Sequence, residues 1–134
     1  MAKKILIVDD EKGWVQILMV RLSSYGYELS VAFDGLQAMM QLNRNKPDLV
    51  LLDLSMPAGG GLTVLKNIRQ NIKLFNIPVI VLSGRTDDAA KEAVNKEGAS
   101  GYFVKPVDMD KLKETIAELL NDNAKQAESE APHE

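Results

Sequence analysis

Polar and apolar positions alternate in blocks along this 134-residue chain. Four short runs are apolar: Ile5–Val8, Leu49–Leu52, Val79–Leu82 and Tyr102–Val104, with a weaker one over Glu28–Phe33. The first three are rich in Val, Ile and Leu and do not alternate, which suits strands buried on both faces of a parallel sheet. Between the runs the spacing becomes helical. Trp14, Leu18, Leu22 and Tyr25 recur at three or four, Val15 and Ile17 widen the stripe, and Gly26 stands where a C-terminal cap often sits. Asp34 can cap a second helix carrying Leu36, Met39, Met40 and Leu42, stopped before Pro47. Leu62, Leu65, Ile68 and Ile72 mark a third helix. Asp87 can cap a fourth, with Ala89, Ala90, Ala93 and Val94, and Asp108 a fifth, with Leu112, Ile116, Leu119 and Leu120. Five strands alternating with five helices predict an α/β fold, a doubly wound parallel sheet. Apolar periodicity stops at Asn121, so residues 1–121 are expected to form one domain and 122–134 a flexible acidic tail.

Composition narrows the chemistry. A chain of this length buries roughly two-thirds of its unfolded surface and needs no covalent staple. It has no Cys, which excludes disulfides, zinc-thiolate sites and thiol nucleophiles, and its one His lies at position 133. The net charge of −3 resides in the tail, because residues 1–120 hold 15 basic and 15 acidic side chains. A neutral body has no general attraction for nucleic acid or anionic membrane, and neither is expected as a partner. No apolar run spans a bilayer, and Ile5–Val8 is too short for a signal-peptide core, so a cytoplasmic location is expected.

The residues that end the strands carry the chemistry. Ile5–Val8 runs into Asp9, Asp10 and Glu11; Leu49–Leu52 into Asp53; Val79–Leu82 into Ser83; Tyr102–Val104 into Lys105. In an open parallel sheet the carboxyl ends share one edge, where ligands bind. Asp9, Asp10, Asp53, Ser83 and Lys105 should therefore converge. Two carboxylates about 4 Å apart repel by roughly 4 kcal/mol at an effective dielectric near 20, so three of them call for a cation. An all-oxygen donor set selects Mg²⁺ or a similar hard ion. A carboxylate can act as a nucleophile toward phosphorus, with the metal, the lysine and the Ser83 hydroxyl offsetting charge on the phosphoryl oxygens. Taken singly, each residue has a plainer reading: Asp or Ser after a strand is commonly a helix cap, and Lys105-Pro106 an ordinary turn. Their conjunction at one edge favours the chemical reading. Gly59-Gly60-Gly61 lacks the surrounding pattern of a phosphate loop and reads as a turn.

Ile5-Leu6-Ile7-Val8-Asp9-Asp10-Glu11, Leu51-Leu52-Asp53-Leu54-Ser55-Met56-Pro57, Val81-Leu82-Ser83-Gly84 and Phe103-Val104-Lys105-Pro106, in this order and spacing, resemble the receiver domain of two-component response regulators, the CheY-like family. The resemblance covers about residues 3–121. It implies a flavodoxin-like sheet of order 2-1-3-4-5. It implies that Asp53 is the phosphoacceptor, that Asp9 and Asp10 position Mg²⁺, and that the Ser55 carbonyl is a further ligand. Ser83 matches the switch hydroxyl, Phe103 the switch aromatic and Lys105 the phosphoryl-binding lysine, with a cis bond before Pro106. It implies a histidine kinase or histidine phosphotransfer protein as donor and a downstream effector protein. The chain is then a signalling receiver, monomeric or weakly dimeric, that catalyses only its own phosphorylation and dephosphorylation.

Three features depart from the common pattern. Gly59-Gly60-Gly61 stands where Met-Asp-Gly is frequent, Phe103 lacks the hydroxyl of the commoner tyrosine, and Ser55 and Arg85 would flank the phosphoryl group. The alternative is a receiver-like interaction module that is never phosphorylated. An acid-metal phosphatase would want a second acid where Ser55 stands, and a flavin carrier would want a Ser/Thr/Gly loop where Asp9-Asp10-Glu11 stands.

Overall fold

A computed structural model describes residues 2–56, 60–84 and 88–120. Strands and helices alternate as β1 (Lys4–Val8), α1 (Lys12–Ser24), β2 (Glu28–Ala32), α2 (Gly35–Arg44), β3 (Leu49–Asp53), α3 (Gly60–Gln70), β4 (Val79–Ser83), α4 (Asp88–Lys96), β5 (Gly101–Val104) and α5 (Met109–Leu120). All five strands are parallel, in the order β2-β1-β3-β4-β5.

The unbroken apolar runs are explained by two cores, one on each sheet face. Leu6, Val8, Val50, Leu52, Val79 and Val81 point to one side, against Ala38 and Leu42 of α2, Val64, Leu65 and Ile68 of α3 and Val94 of α4. Ile5, Ile7, Leu49, Leu51, Ile80 and Leu82 point to the other, against Val15, Leu18 and Leu22 of α1 and Leu112 and Ile116 of α5. Side chains alternate across a strand, so a strand covered on both faces must be apolar at every position. The outer strands β2 and β5 are only half-buried, which accounts for their weaker patterns.

Several expected caps are present. Asp34 Oδ1 accepts the Gln37 N–H at 2.8 Å, and Asp108 Oδ1 accepts from the N–H groups of Asp110 and Lys111. Gly26 closes the end of α1 with φ +92°, a conformation that suits glycine. The bond between Lys105 and Pro106 is cis. Asp87, Gly59, Arg85 and the tail 121–134 lie outside the described residues.

Three helical stripes differ from the sequence expectation. α3 ends at Gln70, and Ile72 is 86% exposed. The Asn71 side chain accepts the Lys73 N–H at 2.8 Å and turns the chain, so Leu74 and Ile77 enter the core instead. In α2 the cap at Asp34 sets a helical phase that turns Ala38 and Leu42 inward, leaving Leu36 75% exposed and Met40 outside with it. Ile17, expected to widen the buried stripe of α1, faces solvent.

Candidate functional site

Strand register brings the polar ends together. Val8 pairs with Leu52, so Asp9 and Asp53 each lie one residue further along neighbouring strands. Asp53 pairs with Leu82 and Ser83 with Val104, which puts Ser83 and Lys105 on the far side of Asp53. The Lys105 N–H donates to the Ser83 carbonyl at 2.8 Å, extending the β4–β5 ladder to the lysine itself.

Asp9, Asp10 and Asp53 each offer a carboxylate oxygen, and these oxygens lie within 4.8 Å of one another. Asp9 and Asp53 are 2% and 3% exposed, whereas Asp10 is exposed. Ser83 is fully buried, Phe103 is half-buried against the α1/α5 core, and the Ser55 N–H donates to Asp53 Oδ1 at 3.0 Å. The donor set fits a hard divalent cation: oxygen ligands only, more negative charge than the site neutralises, and two carboxylates already ordered.

Among the described residues, Lys105 is the positive charge that pairs with these acids. Its Nζ lies 3.0 Å from Asp9 Oδ2, 3.3 Å from Glu11 Oε1 and 3.9 Å from Asp53 Oδ1. Burial pushes the Asp9 carboxyl above the usual aspartate range, and nearby Asp53 adds to this. The N–H of Glu11 and the Lys105 ammonium pull the other way without prevailing. Burial alone would lower the Lys105 ammonium, but its hydrogen bond to Asp9, then the charges of Asp53 and Asp9, carry it above the ordinary lysine value.

All seven sequence-predicted site residues are carried by the carboxyl-end halves or following turns of β1, β3, β4 and β5. Three contacts were not legible in the sequence. Glu11 shares the ammonium with Asp9, a role the adjoining acid pair conceals. Trp14, part of the apolar stripe of α1, places its ring with the centroid 5.6 Å from Lys105 Nζ. Gly61 is a third, structural one: a Cβ there would lie 2.3 Å from the Asp53 carbonyl oxygen and 2.8 Å from Leu54 Cα. Only glycine lets α3 press this closely on the β3 end.

Comparison with known proteins gives the family of the chain. The response regulator receiver domain family matches residues 5–117. The transcriptional regulatory protein ZraR of Klebsiella oxytoca is 40% identical over 119 residues, covering 87% of this chain and 26% of that protein. The alkaline phosphatase synthesis transcriptional regulatory protein PhoP of Bacillus subtilis is 37% identical over 106 residues, covering 79% of this chain and 43% of that protein. The chain thus spans well under two-thirds of the curated relatives it matches. A crystal structure of a response regulator from Chloroflexus aurantiacus superposes with a TM-score of 0.85 at 31% identity, covering 90% of this chain and 98% of that one. The chain belongs to the response regulator receiver domain family, whose standard function is phosphorylation on an aspartate within two-component signalling.

Proposed function

We propose that Asp53 is the aspartate this receiver phosphorylates, in a Mg²⁺-dependent step assembled by Asp9, Asp10, Ser55, Ser83 and Lys105. The observation that carries it is the packing of three carboxylates within 4.8 Å of one another against one lysine, at the carboxyl edge of the sheet.

Asp53 supplies the nucleophilic oxygen. An Asp53 O–P bond forms as the donor's P–N or P–O bond breaks, and the bonding pair leaves with the donor. Asp9, Asp10, Asp53 and the Ser55 carbonyl would hold Mg²⁺, whose positive charge offsets that on the transferring phosphoryl oxygens. Lys105 donates to one of those oxygens with a charge-assisted hydrogen bond, and the buried Ser83 hydroxyl donates to another. Asp53 is held ready by the Ser55 N–H on Oδ1, which leaves its second oxygen to attack.

The donor is a histidine kinase or histidine phosphotransfer protein, and receivers of this family act with such kinases and with effector domains. Ser83 ends β4 and Phe103 sits in β5, so drawing Ser83 toward a phosphoryl group repacks Phe103 and shifts the α4–β5–α5 surface that an effector reads. Residues 1–120 carry no net charge, so nucleic acid is not a partner of this segment by itself. Among the described residues no helix is long and apolar enough to cross a membrane.

The test is incubation with acetyl phosphate and Mg²⁺. One phosphoryl group per chain, absent in Asp53→Ala and absent when the metal is chelated, supports the assignment. Label that persists in Asp53→Ala or without divalent metal removes it.

A further inference from the structure

We propose that Trp14 is a positioning residue for Lys105, its indole ring holding the ammonium at the site when the acidic partners are claimed by the metal; this rests on the phosphoryl-binding role proposed above for Lys105. Among the described residues the ammonium has three ion pairs and one ring contact: Asp9 at 3.0 Å, Glu11 at 3.3 Å, Asp53 at 3.9 Å and the Trp14 ring with its centroid at 5.6 Å. Three are anions. Two of these, Asp9 and Asp53, belong to the carboxylate cluster that would hold the metal. A metal there neutralises their attraction for the lysine. Glu11 remains, but it is 64% exposed and draws the ammonium outward.

The ring is the neighbour that carries no charge. A π face attracts an ammonium within about 6 Å, cannot ligate a hard cation, and does not repel an incoming phosphoryl anion as a carboxylate does. It therefore holds Lys105 in the metal-loaded state, when the lysine must be free of acids and still in place. A second observation concerns how the ring is held. Trp14 Nε1–H is buried and finds no acceptor among the described residues. A buried donor without a partner is unfavourable, so no hydrogen bond of its own sets the pose of the indole. Its packing against the core beneath α1 and α5 and the ammonium over its face set it.

The test is a cycle of variants titrated by calorimetry, first with Mg²⁺ alone and then with beryllofluoride at saturating Mg²⁺. The variants are Trp14→Phe, Trp14→Leu, Lys105→Ala and Trp14→Leu with Lys105→Ala. A half-buried cation–π contact is worth about two- to fivefold in affinity, so Trp14→Leu weakens beryllofluoride binding by that factor. Trp14→Phe keeps a ring and stays within about twofold of wild type. Mg²⁺ binding alone does not weaken in either, since Lys105 held at the site opposes the ion. In the Lys105→Ala background, Trp14→Leu has no further effect, because its contribution passes through the lysine. Should Trp14→Leu fail to fold, Trp14→Met takes its place. Three results overturn the role: normal beryllofluoride binding by Trp14→Leu, an equal loss with and without Lys105, or a parallel loss of Mg²⁺ affinity. A wild-type chain that does not bind beryllofluoride overturns the phosphoacceptor reading first, and the role of Trp14 with it.

Discussion

Replacing Lys105 with Ala separates the two tasks its position combines. In the metal-free protein the ammonium compensates Asp9, which is nearly fully buried, at 3.0 Å and Asp53 at 3.9 Å, while its contact with exposed Glu11 adds little. Removing one partner of a buried ion pair costs about 3–5 kcal/mol. Lys105 is itself 19% exposed, and Asp9 keeps the Glu11 N–H at 2.9 Å, so a loss of about 1–3 kcal/mol is expected here. Metal binding moves in the other direction. An ion held by the carboxylates that the ammonium touches would be repelled by it, by about 2–7 kcal/mol for a divalent charge at a separation on the order of 5 Å between effective dielectrics of roughly 80 and 20. Solvent screening and swing of the flexible side chain toward Glu11 leave a fraction of that. Mg²⁺ affinity in Lys105→Ala should therefore rise by about three- to tenfold.

Beryllofluoride reports the other task. The charge-assisted contact is worth roughly 1.5–3 kcal/mol, so its loss weakens binding of the mimic by about tenfold or more. The assay is urea unfolding without metal, then Mg²⁺ and beryllofluoride titrations, with Asp10→Ala as the variant that loses a metal ligand directly. Expected together are a lower urea midpoint, tighter Mg²⁺ and weaker beryllofluoride. If Lys105→Ala loses Mg²⁺ as badly as Asp10→Ala while folded, the lysine organises the acids and does not oppose the ion. If it binds the mimic normally, Lys105-Pro106 is a turn without a phosphoryl role.

Contacts elsewhere in the fold have their own expected outcomes. Gly61→Ala forces a retreat of about 1 Å between α3 and the Asp53–Leu54 peptide, and acetyl phosphate labelling should slow by up to about a hundredfold; Gly60→Ala, whose nearest neighbour is Met56 at 3.7 Å, should label at the wild-type rate. The Arg69 guanidinium joins the carbonyls of Gly98, Phe75 and Ile77, so Arg69→Ala should lower stability by about 2–3 kcal/mol in urea, and Arg69→Lys should recover little of it. Without metal, Asp9→Asn should be at least as stable as wild type at neutral pH. The folded-state carboxyl lies above its unfolded value, so its charged form costs stability at high pH; the advantage of Asn should shrink as pH falls from that raised value toward the ordinary aspartate range, and an advantage that grows on acidification would contradict the sign. Trp14 emission should change when Mg²⁺ or beryllofluoride binds, because the ring lies against Lys105; binding seen by calorimetry with silent emission would refute that.

The sheet and its edge were legible in the sequence for one physical reason. Strands covered on both faces have no solvent side, so the polar residue that follows Leu49–Leu52, the buried Asp53, marks where aliphatic packing gives way to the site. The ends of β1, β3, β4 and β5 were thereby located to within a residue, and parallel topology alone brings them together. Helix phase was less legible. α2 has two apolar stripes, Ala38 with Leu42 and Leu36 with Met40, and spacing does not say which one meets the sheet. The small Ala38 is what allows close approach, a preference invisible to a count of large apolar residues. Ile72 had the right spacing from Ile68, but Asn71 made a turn before it. The Glu11 and Trp14 contacts with Lys105 bridge more than 90 positions of sequence, where no local pattern speaks.

The cost of the site is placed where it can be used. β1 leads into Asp9 and β3 ends in Asp53, both buried where the preceding positions are aliphatic, and filling them with apolar side chains of similar volume would remove a desolvation penalty. The compensating charge comes from the opposite margin of the sheet, from the residue after β5. One lysine thus spans the switch point between β1 and the β4–β5 margin. On the proposed chemistry, an anion arriving on Asp53 competes for that ammonium with Asp9 and Glu11. Glu11 occupies the position that opens α1, its carboxylate turned to Lys105 and not to the helix, and Lys105 is tied through its own N–H to the Ser83 carbonyl. A redistribution of one positive charge is therefore felt at both ends of the arrangement: at the α1 terminus, and along the β4–β5 margin that carries Ser83 and Phe103. Among the described residues the ion pairs of Asp9, Glu11 and Asp53 all run to Lys105, so a shift of that one ammonium changes the charge balance of the whole cluster.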